Sequence, residues 1–465
     1  MAEGGHYDIV VLGGGSGGYA CALRAALFGK RVALIEKDKV GGTCLHRGCI
    51  PTKALLHAGE IADQARESAA FGVKTTFEGI DMPGVHKYKD SVIAKNHKGL
   101  TGLIKGRGIG VVEGEGRLAG PRTVQVGADT YTGTNLVLAT GSYSRTLPGL
   151  DLDGDRVIAS EHALQLDRVP ATAIVLGGGV IGCEFASAWT SFGSKVTIVE
   201  ALPHLVPLED GASSKLLERE FRRRGIRFKL GARFERTEPT DDGVRVHLES
   251  GETLDAELLL VAVGRGPVSA GLGYEEQGVR VERGFVTVDE YCRTSAGGVY
   301  AVGDLVITSD GAHPQLAHVG FAEGILVAEH LAGLPVVPID YPGVPRITYS
   351  HPEVASVGYT ETQAADQYGP DNITTVTYDL SGNGRSAILS TRGAVKVIAA
   401  KDGPVLGVHI VGDRVGELIA EAQLIYNWEA LPAEVARLIH PHPTQSEAIG
   451  EAHLLLAGKP LHVHG

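Results

Sequence analysis

The sequence predicts an α/β chain built from two βαβ units of one design and a C-terminal α+β segment. Three observations predict it. Tyr7–Gly18 reads YDIVVLGGGSGG and Ala171–Gly182 reads ATAIVLGGGVIG, about 165 residues apart. Each is a short β-branched apolar run, then G-x-G-x-x-G, then a helical pattern. Each leads to a second apolar run that ends on an acid, VALIE at Glu36 and KVTIVE at Glu200. From Arg346 the pattern changes to strands such as Ala394–Ala399 and Val405–Val411, followed by helices over 416–427 and 432–438, with no such glycine signature.

The glycines of each repeat have separate physical tasks. Gly13 makes the tight turn, Gly15 lets the backbone approach a pyrophosphate, and Gly18 lets the helix pack closely on its strand. The N–H groups at the helix N-terminus then face phosphate charge. Glu36, ending the second strand, is placed to accept from ribose hydroxyls. Gly177, Gly179, Gly182 and Glu200 repeat the set, so two Rossmann-like dinucleotide-binding domains are expected. A carboxylate at Glu200 bonds a ribose 2′-OH and repels a 2′-phosphate, and residues 201–208, ALPHLVPL, hold no arginine. This favours NAD over NADP. If Glu200 were only a solvated strand end, the preference would stay open.

Between and after the repeats, the elements follow in order. A helix is expected over Ile50–Gln64, a glycine-bearing strand at Leu136–Ser142, and a linker at Pro148–Asp155. Strands are expected at Val244–Leu248 and Leu258–Val263, and a short strand closing on an acid at Tyr300–Asp304, YAVGD.

Composition narrows the function classes. The 465 residues suffice for two to four domains. Lys and Arg total 43 against 55 Asp and Glu, a net charge of −12, which argues against nucleic-acid binding. There are 64 glycines, about twice the usual ~7%, placed inside apolar runs where backbone must come close to something. Met1–His6 has neither a basic region nor an apolar stretch, and no run of eighteen apolar residues exists, so a cytoplasmic protein off the membrane is expected.

Five cysteines are too few for a disulfide scaffold. Cys44 and Cys49 lie in GGTCLHRGCIPTK, Gly41–Lys53. Five residues apart on an ideal helix, they would be separated by about 140° and more than about 8 Å. A disulfide needs roughly 6.8 Å or less. Bonding therefore requires a distorted turn, which Gly42 and Gly48 permit. On spacing alone the pair reads either as a redox couple or as two unrelated cysteines. His46 by itself does not complete a zinc site. Cys21, Cys183 and Cys292 have no partner at motif spacing and read as buried apolar residues. The tail histidines His453, His462 and His464 lack an acid or cysteine cluster, so no metal site is expected.

The motif Gly41–Lys53, both glycine fingerprints, YAVGD and HPHPTQSE (His440–Glu447) stand in the order used by the pyridine nucleotide–disulfide oxidoreductases. The chain resembles that family over essentially its whole length. Within it, Cys44–His57 and Tyr349–Gly358 resemble the dihydrolipoamide dehydrogenases. The resemblance implies an FAD-binding domain at 1–149, an NAD-binding domain at 150–275, a central domain at 276–345 completing the FAD site, and an interface domain at 346–465. It implies that Glu36 meets the adenosine ribose and Asp304 the ribityl chain, with Gly116, Thr140, Gly141, Ser142 and Gly264 near the cofactors. Leu316, Ala317 and His318 would begin a helix whose N-terminus faces the reduced flavin. Lys53 would face the flavin, with Glu184 as its partner.

The same resemblance makes Cys44–Cys49 a redox disulfide and His442 the acid–base group, held by Glu447. Two prolines stiffen its loop, and a carboxylate on one ring nitrogen fixes the tautomer. His440 reads as structural. The family's G-R-x-P-N segment departs here to Gly264-Arg265-Gly266-Pro267-Val268, which puts the contact of the lost Asn side chain in doubt. The implied enzyme is a homodimer that oxidises dihydrolipoamide on lipoyl domains of 2-oxo acid dehydrogenase complexes and reduces NAD. The alternatives are another NAD(P)H-linked disulfide reductase, of the mycothione or glutathione kind, or a redox-silent flavoprotein serving in assembly.

Overall fold

A computed structural model describes residues 4–308, 311 and 313–463. The chain forms two compact units, each from three stretches. The first comprises Met1–Ala54, Pro83–Arg145 and Gly264–Tyr341; the second comprises Leu55–Met82, Thr146–Val263 and Pro342–Gly465.

The first unit is built on Gly5–Leu12, which pairs in parallel with Val32–Glu36 on one side and Asp129–Leu138 on the other. Gly110–Glu113 and Val299–Ala301 extend the parallel part at either side. Ile9 and Val11 enter one core, Val10 and Leu12 the other, because successive strand residues face opposite ways. With both faces covered, the strand reads as a continuous apolar run. The helices Ser16–Leu27 and Ala317–Leu331 cross at very short range. A Cβ on Gly324 would stand 2.3 Å from the Gly17 carbonyl oxygen, so only glycine lets these backbones meet.

The second unit holds two principal sheets. One is parallel, in the order Arg227–Lys229, Lys195–Val199, Thr172–Leu176, Leu258–Val261, Val157–Ile158. The other is antiparallel, in the order Arg346–Thr348, Glu353–Gly358, Val405–Gly412, Ala394–Ala400, Ile373–Asp379. The helices Val415–Asn427 and Glu447–Leu456 share the core of that second sheet.

These elements match the expected α/β class and its C-terminal α+β segment. Three local expectations change. The strand expected to close on the acid at Tyr300–Asp304 is Val299–Ala301, and Asp304 lies beyond it in the turn Gly303–Leu305. The helix expected over 432–438 is only Pro432–Val435. The strand expected at Leu136–Ser142 stops at Leu138 and a separate strand begins at Ser142, with Gly141 at φ +72° between them. No described helix is long and apolar enough to cross a membrane.

Candidate active site

The two glycine turns are built alike. Gly13 and Gly177 each have φ +108°. A Cβ on Gly18 would lie 1.9 Å from the Gly13 carbonyl oxygen, and one on Gly182 would lie 1.9 Å from that of Gly177. Both positions therefore exclude any side chain. Gly14 donates its N–H to Glu36 Oε2 at 2.7 Å, and Gly178 donates to Glu200 Oε2 at 2.6 Å. The other oxygens accept from Asp38 N at 2.8 Å and Leu202 N at 2.7 Å. Burial pushes the Glu36 carboxyl above its ordinary range, against these donors.

Gly15 and Gly179 cap the two following helices with no side-chain hydrogen bond, and a Cβ at either would touch nothing within 4 Å. Each turn thus presents open space beside an N-terminus whose N–H groups suit a pyrophosphate. By this test the residues fit FAD and NAD. The two middle glycines, Gly14 and Gly178, were not singled out from sequence, although each occupies a variable position of its fingerprint.

The cysteines stand where one helix stops and another starts. Gly42–Arg47 ends at Gly48, whose φ −143° and ψ −111° are not helical, and Cys49–Glu67 follows. Pro51 enforces the break: it has no N–H for the Arg47 carbonyl, and its ring crowds that oxygen. Thr52 then holds the Gly48 carbonyl through its N–H at 3.0 Å and its hydroxyl at 2.7 Å. The break is the distorted turn that bonding requires, and it brings the Cys44 thiol into a hydrogen bond with Cys49. Both cysteines are thiols here. That bond, then burial, raises the Cys44 pKa far above the thiol range; Lys53 opposes the shift and Asp304 adds to it.

The cysteine helix leans on the first glycine turn. Gly41 N–H donates to the Gly14 carbonyl at 2.8 Å, and a Cβ on Gly42 would lie 2.7 Å from Gly15 Cα. Both Gly41 and Gly42 have positive φ, +111° and +57°, which only glycine adopts readily.

Asp304 sits in the short turn Gly303–Leu305. Ser142 donates its hydroxyl to Asp304 Oδ2 at 2.5 Å, and Arg265 Nε donates to Ser142 Oγ at 2.7 Å. Arg265, a residue the sequence reading assigned no role, thus anchors this group. Arg265–Pro267 pairs with Ser142–Ser144, while Val268 donates to the Gly141 carbonyl at 2.9 Å and accepts from the Thr140 hydroxyl at 2.5 Å. Where the family pattern has Asn, the Val268 backbone makes the local contacts. Gly264 has φ +110° and accepts from Arg145 N at 3.0 Å. Gly116 is buried, with Leu12, Val124 and Ile35 side chains filling the place of its Cβ. Leu316 caps the helix Ala317–Leu331 without a side-chain bond, leaving Ala317 and His318 in its first turn.

In the second unit, His442 Nδ1 lies 2.9 Å from Glu447 Oε1, and Thr444 N donates to Glu447 Oε2 at 2.8 Å. Burial raises the Glu447 carboxyl, but the Thr444 N–H and His442 outweigh it and hold it below the usual range. His440 Nε2 meets Glu421 Oε1 at 2.7 Å, tying the loop to the helix Val415–Asn427. That bond raises the His440 pKa. Glu184 is buried and accepts from Tyr349 N at 3.0 Å. Cys21, Cys183 and Cys292 are all buried. His453 is buried, His462 pairs with Glu451 at 2.7 Å, and His464 lies outside the described residues.

Residues 7–324 match the family model "Pyridine nucleotide-disulphide oxidoreductase", and residues 344–453 match its dimerisation domain. A dihydrolipoyl dehydrogenase of Bacillus subtilis is 40% identical, covering 98% of this chain and 99% of the relative. Dihydrolipoyl dehydrogenase 2, mitochondrial, of Arabidopsis thaliana is 38% identical, covering 98% and 91%. Among solved structures, LpdA from Mycobacterium tuberculosis superposes with a TM-score of 0.89 at 30% identity, covering 96% of this chain and 99% of that one. The flavoprotein disulfide reductase RclA from Escherichia coli gives 0.85 at 29%, covering 97% and 100%. Two glycine turns, a thiol pair seated on the first of them and matches that span the chain lead to one assignment: the chain belongs to the pyridine nucleotide-disulphide oxidoreductase family.

Proposed function

We propose that this chain is a dihydrolipoyl dehydrogenase: it oxidises dihydrolipoamide to lipoamide and reduces NAD⁺ to NADH and a proton. The observation that carries the reading is the thiol pair held across a broken helix against the first glycine turn. His442 takes a proton from one substrate thiol at Nε2, because Nδ1 is engaged by Glu447. The substrate thiolate attacks Cys44 Sγ of the oxidised pair and displaces Cys49 as thiolate. The second substrate sulfur attacks the first and gives its proton to the Cys44 sulfur, which departs as the thiol as lipoamide leaves. FAD, which Gly13, Gly15, Gly18 and Glu36 would hold, would supply the two-electron chemistry that links the reduced cysteines to NAD⁺.

Gly13, Gly15, Gly18 and Glu36 hold FAD with Gly116, Thr140, Gly141, Ser142, Asp304 and Leu316–His318. Gly177, Gly179, Gly182, Glu200 and Gly264 serve NAD. Lys53 supplies positive charge beside the flavin. His442 serves the cysteine pair of a second copy, a reading supported by the position of the 440–447 loop in the stretch that matches the dimerisation domain. We divide the chain at 149, 275 and 345, as the motifs suggest, and infer lipoyl domains of 2-oxo acid dehydrogenase complexes as partners. A cytoplasmic location suits cysteines that must cycle rather than staple.

The test is a comparison of turnover with dihydrolipoamide and NAD⁺ against glutathione disulfide and NADPH. Dihydrolipoamide with NAD⁺ is expected to be faster by at least about two orders of magnitude, since the Glu200 carboxylate suits a ribose 2′-OH and repels the 2′-phosphate of NADPH. Comparable rates, or faster glutathione disulfide reduction, would overturn it.

A further inference from the structure

Glu323, on the helix Ala317–Leu331, is fully buried. Its carboxylate gathers donors from three different stretches. Gly303 N–H donates to Oε2 at 2.6 Å. The Tyr341 hydroxyl donates to Oε1 at 2.7 Å, and His313 Nε2 lies 2.7 Å from the same oxygen. The His313 side chain is itself only 2% exposed, and the Tyr341 ring stands edge-on to it at 5.3 Å. Burying a carboxylate is costly unless donors surround it, so three convergent donors mark a group the fold must keep.

The origin of the donors gives the cluster its meaning. Gly303 opens the turn that carries Asp304, at φ +76°. His313 lies in the stretch that leads into the Leu316–His318 helix start. Gln315 ties the same two stretches a second time, its Nε2 donating to the Asp304 carbonyl at 3.1 Å. One buried carboxylate therefore fixes the Asp304 turn and the helix start together.

We propose that Glu323, with His313 and Tyr341, is the positioning residue of the FAD site, setting the Asp304 turn and the Leu316–His318 N-terminus in register with each other. It touches no reacting atom. The proposal rests on the assignment of Asp304 and Leu316–His318 to FAD.

The test uses the full-length chain, stripped of flavin and reconstituted. The readouts are the FAD dissociation constant by flavin fluorescence, the visible circular dichroism of bound flavin, and the melting midpoint of the apoprotein. The variants are Glu323→Gln, His313→Ala and His313→Gln, with Asp304→Asn as control. Asp304→Asn, Glu323→Gln and His313→Ala are each expected to weaken FAD binding about tenfold and to alter the flavin dichroism. His313→Gln keeps a donor of similar reach and is expected to restore both. If Asp304→Asn weakens FAD while Glu323→Gln and His313→Ala change only the melting midpoint, the positioning role is wrong and the site assignment stands. If Asp304→Asn leaves FAD binding unchanged, the assignment falls and the proposal with it. Should Glu323→Gln fail to fold, the contrast between His313→Ala and His313→Gln decides by the same readings.

Discussion

Glu447 holds His442 by a single ring nitrogen, Nδ1, and such a bond fixes the tautomer and orientation of the ring. His442→Gln removes the proposed base and leaves untouched the residues proposed to hold FAD, which belong to the other unit. Dihydrolipoamide oxidation is expected to fall by roughly 10²–10⁴-fold, with flavin content unchanged. Stopped-flow reduction by dihydrolipoamide, alongside flavin content from absorbance, checks this; near-normal turnover would remove His442 from the mechanism. The HPHPTQSE motif made His442 and Glu447 legible. Arg265 and Glu323 were not, because nothing local distinguishes an arginine that reaches Ser142, or a glutamate that accepts from Gly303, from a solvated one.

At the scale of elements, the glycine turns answer to steric arithmetic. A methyl group placed 1.9 Å from a carbonyl oxygen must displace backbone, at a cost of at least about 1–3 kcal/mol. Gly182→Ala is expected to weaken NADH binding by roughly ten- to a hundredfold while FAD stays bound. Titration of the variant with NADH, followed by flavin absorbance, provides the measurement. Unchanged NADH affinity would show that the second turn does not hold a nucleotide. These turns were readable because their glycines recur within a single strand–turn–helix segment. The break between the cysteines was readable only as a possibility. Gly48 permits it, but it took the chain on both sides, with Pro51 refusing the bond to Arg47 and Thr52 closing on Gly48, to show where the helix stops.

For the whole molecule, the apolar surface of the C-terminal stretch is telling. Ile439 is 97% exposed and Trp428 75%, with Leu431 and Leu438 also open, and all four lie within the residues that match the dimerisation domain. Exposed apolar groups gathered in one stretch mark an association surface. Ile439→Asp is expected to shift the protein from dimer toward monomer, with dihydrolipoamide turnover lost in proportion and flavin retained. Light scattering and turnover on the same samples test it. A monomer with full turnover would show that each chain works alone, against the reading that His442 serves a second copy.

The sequence by itself determined the α/β class and the two glycine turns with their acids. All of these rest on patterns within about thirty residues, where strand period, glycine spacing and a terminal acid act on their neighbours. Only the tertiary structure decided which distant groups meet. Gly41 and Gly42 dock on Gly14 and Gly15, Arg265 reaches Ser142, and the Val268 backbone satisfies Thr140 and Gly141. Glu323 gathers Gly303, His313 and Tyr341. The reason is physical: a local pattern records which face of an element is buried, but the hydrogen-bond partner across that face is chosen by packing, after the chain has closed.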